Sequence, residues 1–189
     1  RTARIGVIGL GYVGLPLSLQ FARSGVEILG LDVDPAKIDA IHAGRSYIHH
    51  IPSEDIERLV KEGKFSASTD FSKVGEVDAV IICVPTPLSR NREPDISYVL
   101  KSGETIAPHL KPGTVVILES TTYPGTTDED LRTVLEAGSG LEAGKDFHLA
   151  FSPEREDPGN QRFDTASIPR ITGGDGPAAA ALVAAFYRA

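Results

Sequence analysis

Short apolar runs of strand length alternate with segments whose apolar residues recur at helical spacing, the pattern of successive βα units around a parallel sheet. Residues 4–9 (RIGVIG) are β-branched and close on glycine, which predicts a buried strand. Val13, Leu17, Leu19 and Phe21 predict a helix over 13–24 that Gly25 stops, and 27–32 (EILGLD) predicts the second strand. Asp34 followed by Pro35 reads as an N-cap with proline at the first helical position, opening a helix that Gly44 ends. A short helix follows from Ser53 to Gly63, then a short strand at 65–69 and a strongly apolar one at 78–84 (DAVIICV). Beyond the proline-rich 85–94 loop, Asp95 is expected to cap a helix to about residue 109. Lys111, Pro112 and Gly113 make a turn, and 114–120 (TVVILES) predicts the next strand. Thr126 or Thr127 is expected to cap a helix to about residue 137. A strand at 147–151 (FHLAF), a last short one at 170–172 and an alanine-rich helix over 177–189 complete the pattern.

The junction of the first strand and helix carries Gly9-Leu10-Gly11-Tyr12-Val13-Gly14, a G-x-G-x-x-G in the strand–turn–helix setting that gives the motif meaning. Gly9 permits the tight turn, Gly11 removes a side chain so that the backbone can approach a pyrophosphate, and Gly14 lets helix and strand pack closely. The helix starting there directs free N–H groups at the anion. Asp32 ends the second strand 23 residues after Gly9, near the position of an acid that accepts from a ribose 2′-hydroxyl. A carboxylate there disfavours a 2′-phosphate, so NAD is expected rather than NADP, with Lys37 close by to temper that preference. The expected fold is α/β: a Rossmann-like, doubly wound, mostly parallel sheet in three α/β/α layers. Residues 1–175 form the NAD-binding domain, and 176–189 begin a helix linking to central and C-terminal domains outside this chain.

Open parallel sheets bind ligands beyond the carboxyl ends of their strands. That rule nominates Val84, Pro85, Thr86 and Pro87 after one strand, 120–125 (STTYPG) after the next and 152–159 (SPEREDPG) after a third. Thr126, Thr127 and Pro87 suit ordinary capping and strand termination. Thr121 and Glu154, each within three residues of a strand end, suit function.

Composition narrows the class. At 189 residues the chain has the length of one domain, and roughly 70% of its unfolded surface is buried by size scaling. With 19 Lys and Arg against 26 Asp and Glu the net charge is −7, which argues against electrostatic binding of nucleic acid. The single cysteine excludes an intrachain disulfide and a thiolate zinc cage, which fits a reducing cytoplasm. No window has the length and apolarity of a membrane span or the layout of a signal peptide, so no membrane association is expected. Arg at position 1 and the absence of methionine suggest a segment of a longer protein. None of the five histidines has a spaced partner, and no metal site is expected.

Taken together, 5–17 (IGVIGLGYVGLPL), 30–38 (GLDVDPAKI), 46–52 (SYIHHIP), 82–88 (ICVPTPL), 119–127 (ESTTYPGTT) and 152–160 (SPEREDPGN) resemble the N-terminal, NAD-binding part of the UDP-sugar 6-dehydrogenases. Within them the chain is most similar to the branch that oxidises UDP-N-acetylglucosamine or UDP-N-acetylmannosamine. The resemblance implies oxidation of the sugar C6 alcohol to a carboxylate with two NAD consumed. It assigns Gly9, Gly11, Tyr12, Val13 and Gly14 to the pyrophosphate loop and Asp32 and Lys37 to the adenosine ribose. It sets Thr86, in the loop that Val84 and Pro85 begin, and Thr121, in the loop over 120–125, beside the nicotinamide. Thr121 is implied to help hold a catalytic water, Glu154 to do acid/base work and thioester hydrolysis, and Arg155 to contact the nucleotide sugar. The UDP-glucose branch has a second glutamate where this chain has Pro158. The family's trapping cysteine, with a lysine and an asparagine, belongs to sequence beyond residue 189. Cys83 lies in an apolar run and reads as a small buried hydrophobe. The fragment is therefore expected to bind NAD without completing the reaction, and the full-length protein to be a homo-oligomer.

Two other readings compete. A two-electron dehydrogenase of the hydroxyacid or 6-phosphogluconate type would not carry the 46–52 and 152–160 stretches. A dinucleotide sensor would not need the furnished loops around Thr121 and Glu154.

Overall fold

The computed structural model of the protein describes residues 3–88, 93–153 and 169–188. Six parallel strands, β1 (Arg4–Ile8), β2 (Glu27–Leu31), β3 (Phe65–Ser68), β4 (Ala79–Ile82), β5 (Val115–Leu118) and β6 (His148–Phe151), are joined at one edge by an antiparallel β7 (Gly173–Gly174). The spatial order is β3-β2-β1-β4-β5-β6-β7. The chain winds outward from β1 to β3, then returns to pair β4 with the other side of β1. That reversal opens a crevice over the carboxyl ends of β1 and β4.

Among the described residues six α-helices flank the sheet: α1 (Gly14–Arg23), α2 (Pro35–His42), α3 (Ser53–Lys61), α4 (Ser97–Ile106), α5 (Arg132–Ser139) and α6 (Pro177–Phe186). Alternate residues of the central strands feed two cores, which is why the strands read as unbroken apolar runs. Val7, Ile81 and Ile117 pack on one side with Leu15, Leu19 and Phe21 of α1 and Val183 of α6. Val80, Ile82, Val116 and Leu118 pack on the other with Val99 and Ile106 of α4 and Leu135 of α5. No described helix is long and apolar enough to cross a membrane.

Local chemistry follows the expected logic in most places. Asp34 caps α2 by accepting from the Ala36 N–H at 2.9 Å, and Gly44 takes a positive φ of 65° just past the helix. Four expectations need correction. Asp95 accepts from the Ser97 N–H, but the N-cap position of α4 is Ile96. Neither Thr126 nor Thr127 caps a helix: Gly125, in the left-handed region at φ 98°, starts a π-helical segment (Thr126–Leu131) that runs into α5. The last strand lies at Gly173–Gly174 rather than 170–172, because the pairing with β6 begins only opposite Phe151. Cys83 is buried but falls just past β4, where its carbonyl oxygen abuts Gly9.

Candidate functional site

The first turn is shaped by contacts that only glycine allows. Gly9 sits at φ 88°, and a Cβ on it would come within 2.6 Å of the Cys83 carbonyl oxygen. A Cβ on Gly14 would lie 1.8 Å from the Gly9 carbonyl oxygen. These two glycines are demanded by packing between β1, β4 and α1. Gly11 is different: a Cβ there would meet nothing within 4 Å, and the residue borders the open crevice. Its bareness leaves room for something lying over the turn, as a pyrophosphate on main-chain amides requires.

Asp32, 5% exposed, organises the same turn from the end of β2. Its Oδ2 accepts from the Leu10 N–H at 2.7 Å and from the Lys37 ammonium at 2.8 Å, and its Oδ1 accepts from the Asp34 N–H at 3.0 Å. Three donors, one of them charged, make a buried carboxylate tolerable. Oδ1 keeps an acceptor position for a hydroxyl in the crevice. Lys37 neutralises part of the charge that would repel a 2′-phosphate.

Tyr47, from the segment between α2 and α3, donates its hydroxyl to the Leu10 carbonyl oxygen at 2.6 Å. Burial, then the charges of Asp32 and Asp34, push its phenol well above the usual range, so it stays a donor. The exposed ring of Tyr12 stacks on His50 with centroids 6.5 Å apart. The 46–50 stretch is thereby fastened to the glycine turn at two points.

The crevice holds about 540 Å³. Gly9, Gly11, Tyr12 and Val13 form its floor, Asp32 and Lys37 one end, and Val84 and Pro85 the other. Gly14, Thr86 and Thr121 do not border it; Gly14 is buried beneath the turn, and the two threonines stand beyond Pro85. Sequence reasoning missed its far wall, made by Phe71 and by Tyr98, Lys101, Ser102 and Thr105 of α4. Their i, i+3, i+4, i+7 spacing on the helix after β4 was the available signal. Ser102 and Thr105 donate to the carbonyls four residues earlier, leaving their oxygens as acceptors.

Beyond Pro85 the β4 and β5 loops are joined twice. Thr86 donates its hydroxyl to the Thr121 carbonyl oxygen at 2.6 Å, and Ser120 donates to the Val84 carbonyl oxygen at 2.7 Å. The structure thus brings Thr86 and Thr121 together. Glu154 and Arg155 lie outside the described residues. A second depression of about 590 Å³ opens between Tyr123, Phe151 and Asp175.

An adenine dinucleotide fits these features: bare amides at the turn, a carboxylate acceptor 23 residues on, and a cleft that runs from one to the other. The chain matches the model of the UDP-glucose/GDP-mannose dehydrogenase family, NAD binding domain, over residues 3–189. It is 36% identical over 188 residues to a UDP-N-acetyl-D-glucosamine 6-dehydrogenase of Pseudomonas aeruginosa, covering 100% of this chain and 44% of that protein. It is 39% identical to a UDP-N-acetyl-D-mannosamine dehydrogenase of Pyrococcus horikoshii, covering 98% and 44%. The crystal structure of an NDP-N-acetyl-D-galactosaminuronic acid dehydrogenase from Methanosarcina mazei superposes with a TM-score of 0.92 at 35% identity, covering 99% of this chain and 42% of that one. The chain spans less than half the length of these relatives. It belongs to the UDP-glucose/GDP-mannose dehydrogenase family and is an NAD-binding domain of that family.

Proposed function

We propose that the full-length protein oxidises the C6 alcohol of a UDP-N-acetylhexosamine to the carboxylate, consuming two NAD per sugar, with this chain as its cofactor domain. The observation that carries the reading is Gly11, a glycine that no packing contact requires, set on the floor of a crevice that Asp32 closes at one end. The substrate class is supported by the P. aeruginosa and P. horikoshii relatives, whose names specify UDP-N-acetylhexosamines and whose matches span nearly the whole chain.

Bound NAD supplies the hydride acceptor. The chain's own residues do the rest of the work available to this domain. Main-chain amides at 11–14 receive the diphosphate, since those of Gly9 and Leu10 are held by the Leu31 carbonyl and Asp32, and Asp32 with Lys37 orients the ribose hydroxyls. Thr86 and Thr121 border the nicotinamide, with Thr121 helping to hold water. Glu154 handles the proton, and Arg155 contacts the nucleotide sugar. Cys83 lies beneath the turn at 7% exposure and takes no covalent role. The stoichiometry of the full-length enzyme tests the reading: two NADH formed per UDP-N-acetylhexosamine are expected, and one NADH or none would overturn it.

A further inference from the structure

The side-chain alternation of β5 sends Val115 and Ile117 toward α1 and α6, and Val116 and Leu118 toward the opposite core. Continued one step past the strand, it turns Glu119 into the α1/α6 side, where the residue is 0% exposed. Its Oε1 pairs with the Arg170 guanidinium, and its Oε2 accepts the Tyr187 hydroxyl at 2.7 Å. The guanidinium also lies 4.8 Å from the centre of the Tyr187 ring, so each member of the cluster touches the other two. Tyr187 further packs on Phe21 of α1, with ring centroids 5.9 Å apart. Burial, then the charge of Glu119, pushes the Tyr187 phenol far above its ordinary range, and it acts as a fixed donor.

The three residues come from distant stretches: the end of β5, the approach to β7 and the end of α6. Their shared point is the backbone that immediately precedes Ser120 and Thr121. Ser120 faces the other way and is tied to Val84, and Thr121 is tied to Thr86. The 119–121 backbone is therefore clamped from both sides of the sheet. Apolar residues of similar volume would stabilise such a site at least as well as a buried ion pair, whereas directional hydrogen bonds fix where a backbone sits.

We propose that Glu119, Arg170 and Tyr187 are positioning residues for the reacting end of the cofactor site, acting through the 119–121 backbone on Thr121. The proposal rests on the reading above of Thr121 as a neighbour of the nicotinamide. Because Asp32 and the glycine turn lie at the other end, disturbing the cluster should leave the adenosine half untouched.

The test is Tyr187→Phe in the full-length enzyme, which deletes one hydroxyl and keeps the ring on Phe21. The expected result is a fall in kcat of about tenfold or more with ADP-ribose affinity, measured by calorimetry, within about twofold of wild type. Glu119→Gln, which keeps the shape and removes the charge, should show the same split; if it fails to fold, Tyr187→Phe decides alone. A kcat within about twofold of wild type alongside a lowered Tm would overturn the proposal and leave the cluster a packing feature. Should the wild type oxidise no UDP-N-acetylhexosamine, the functional reading fails and the cluster is judged on binding. Tyr187→Phe must then weaken NAD relative to ADP-ribose, and equal effects on both ligands, or none, would overturn it.

Discussion

The Thr86 hydroxyl donates to the carbonyl oxygen of Thr121 at 2.6 Å, so that loops leaving two adjacent strands are tied together beyond the Pro85 end of the crevice. Thr86→Val keeps the shape and removes the donor. A loss of about 1 kcal/mol in stability is expected, the net worth of one such bond. Steady-state kinetics on the full-length enzyme should show kcat reduced several-fold while ADP-ribose affinity holds.

Asp32 serves the fold and the site together. Asp32→Ala leaves the Leu10 and Asp34 amides and the Lys37 ammonium without their common acceptor. Destabilisation of about 2–4 kcal/mol is expected. Titrations should show NAD affinity reduced about tenfold or more and the preference for NAD over NADP narrowed, since Lys37 is then unopposed.

Gly14→Ala places a methyl group 1.8 Å from the Gly9 carbonyl oxygen, a distance that only backbone movement can relieve. A cost of about 3 kcal/mol or more is expected, visible as a markedly lower Tm, together with loss of NAD binding as the turn is displaced.

Tyr47 gives the protein an alkaline limit. Its folded-state pKa is raised above the ordinary value of 10.0, by burial first and by Asp32 and Asp34 next. Above pH 10 the unfolded chain releases this proton while the folded one retains it, so stability falls with rising pH by about 1.4 kcal/mol per unit for each such group. Tyr187 acts in the same direction. Denaturant unfolding at pH 10 to 11 should show a slope that Tyr47→Phe reduces without abolishing.

The sheet was legible because its central strands β4 and β5 are buried on both faces and its helices on one, so apolar run length and helical spacing separated them cleanly. The glycine turn and Asp32 were legible because their spacing is set by covalent geometry: one strand, one helix and one strand again. Features that depend on tertiary meeting points were not. The two residues of β7 are glycines with no side-chain pattern, and the 3-10 segment at Phe71–Glu76 has no apolar period to announce it. The α4 wall of the crevice was readable as a helical face but not as the face turned toward β1. Glu119 reads in sequence as the polar end of a strand. Only the arrival of Arg170 and Tyr187, 51 and 68 residues on, makes it a buried cluster.

Whether a dinucleotide lies over the turn at Gly11 is read by calorimetry of NAD with wild-type and Gly11→Ala full-length protein. A Cβ at Gly11 meets no protein atom within 4 Å, so the variant should melt within about 2 °C of wild type. One NAD per chain is expected for wild type, with an affinity reduced about tenfold or more in the variant. Equal affinity in the two proteins, or no heat from the wild type, would rule out a cofactor bound over this turn.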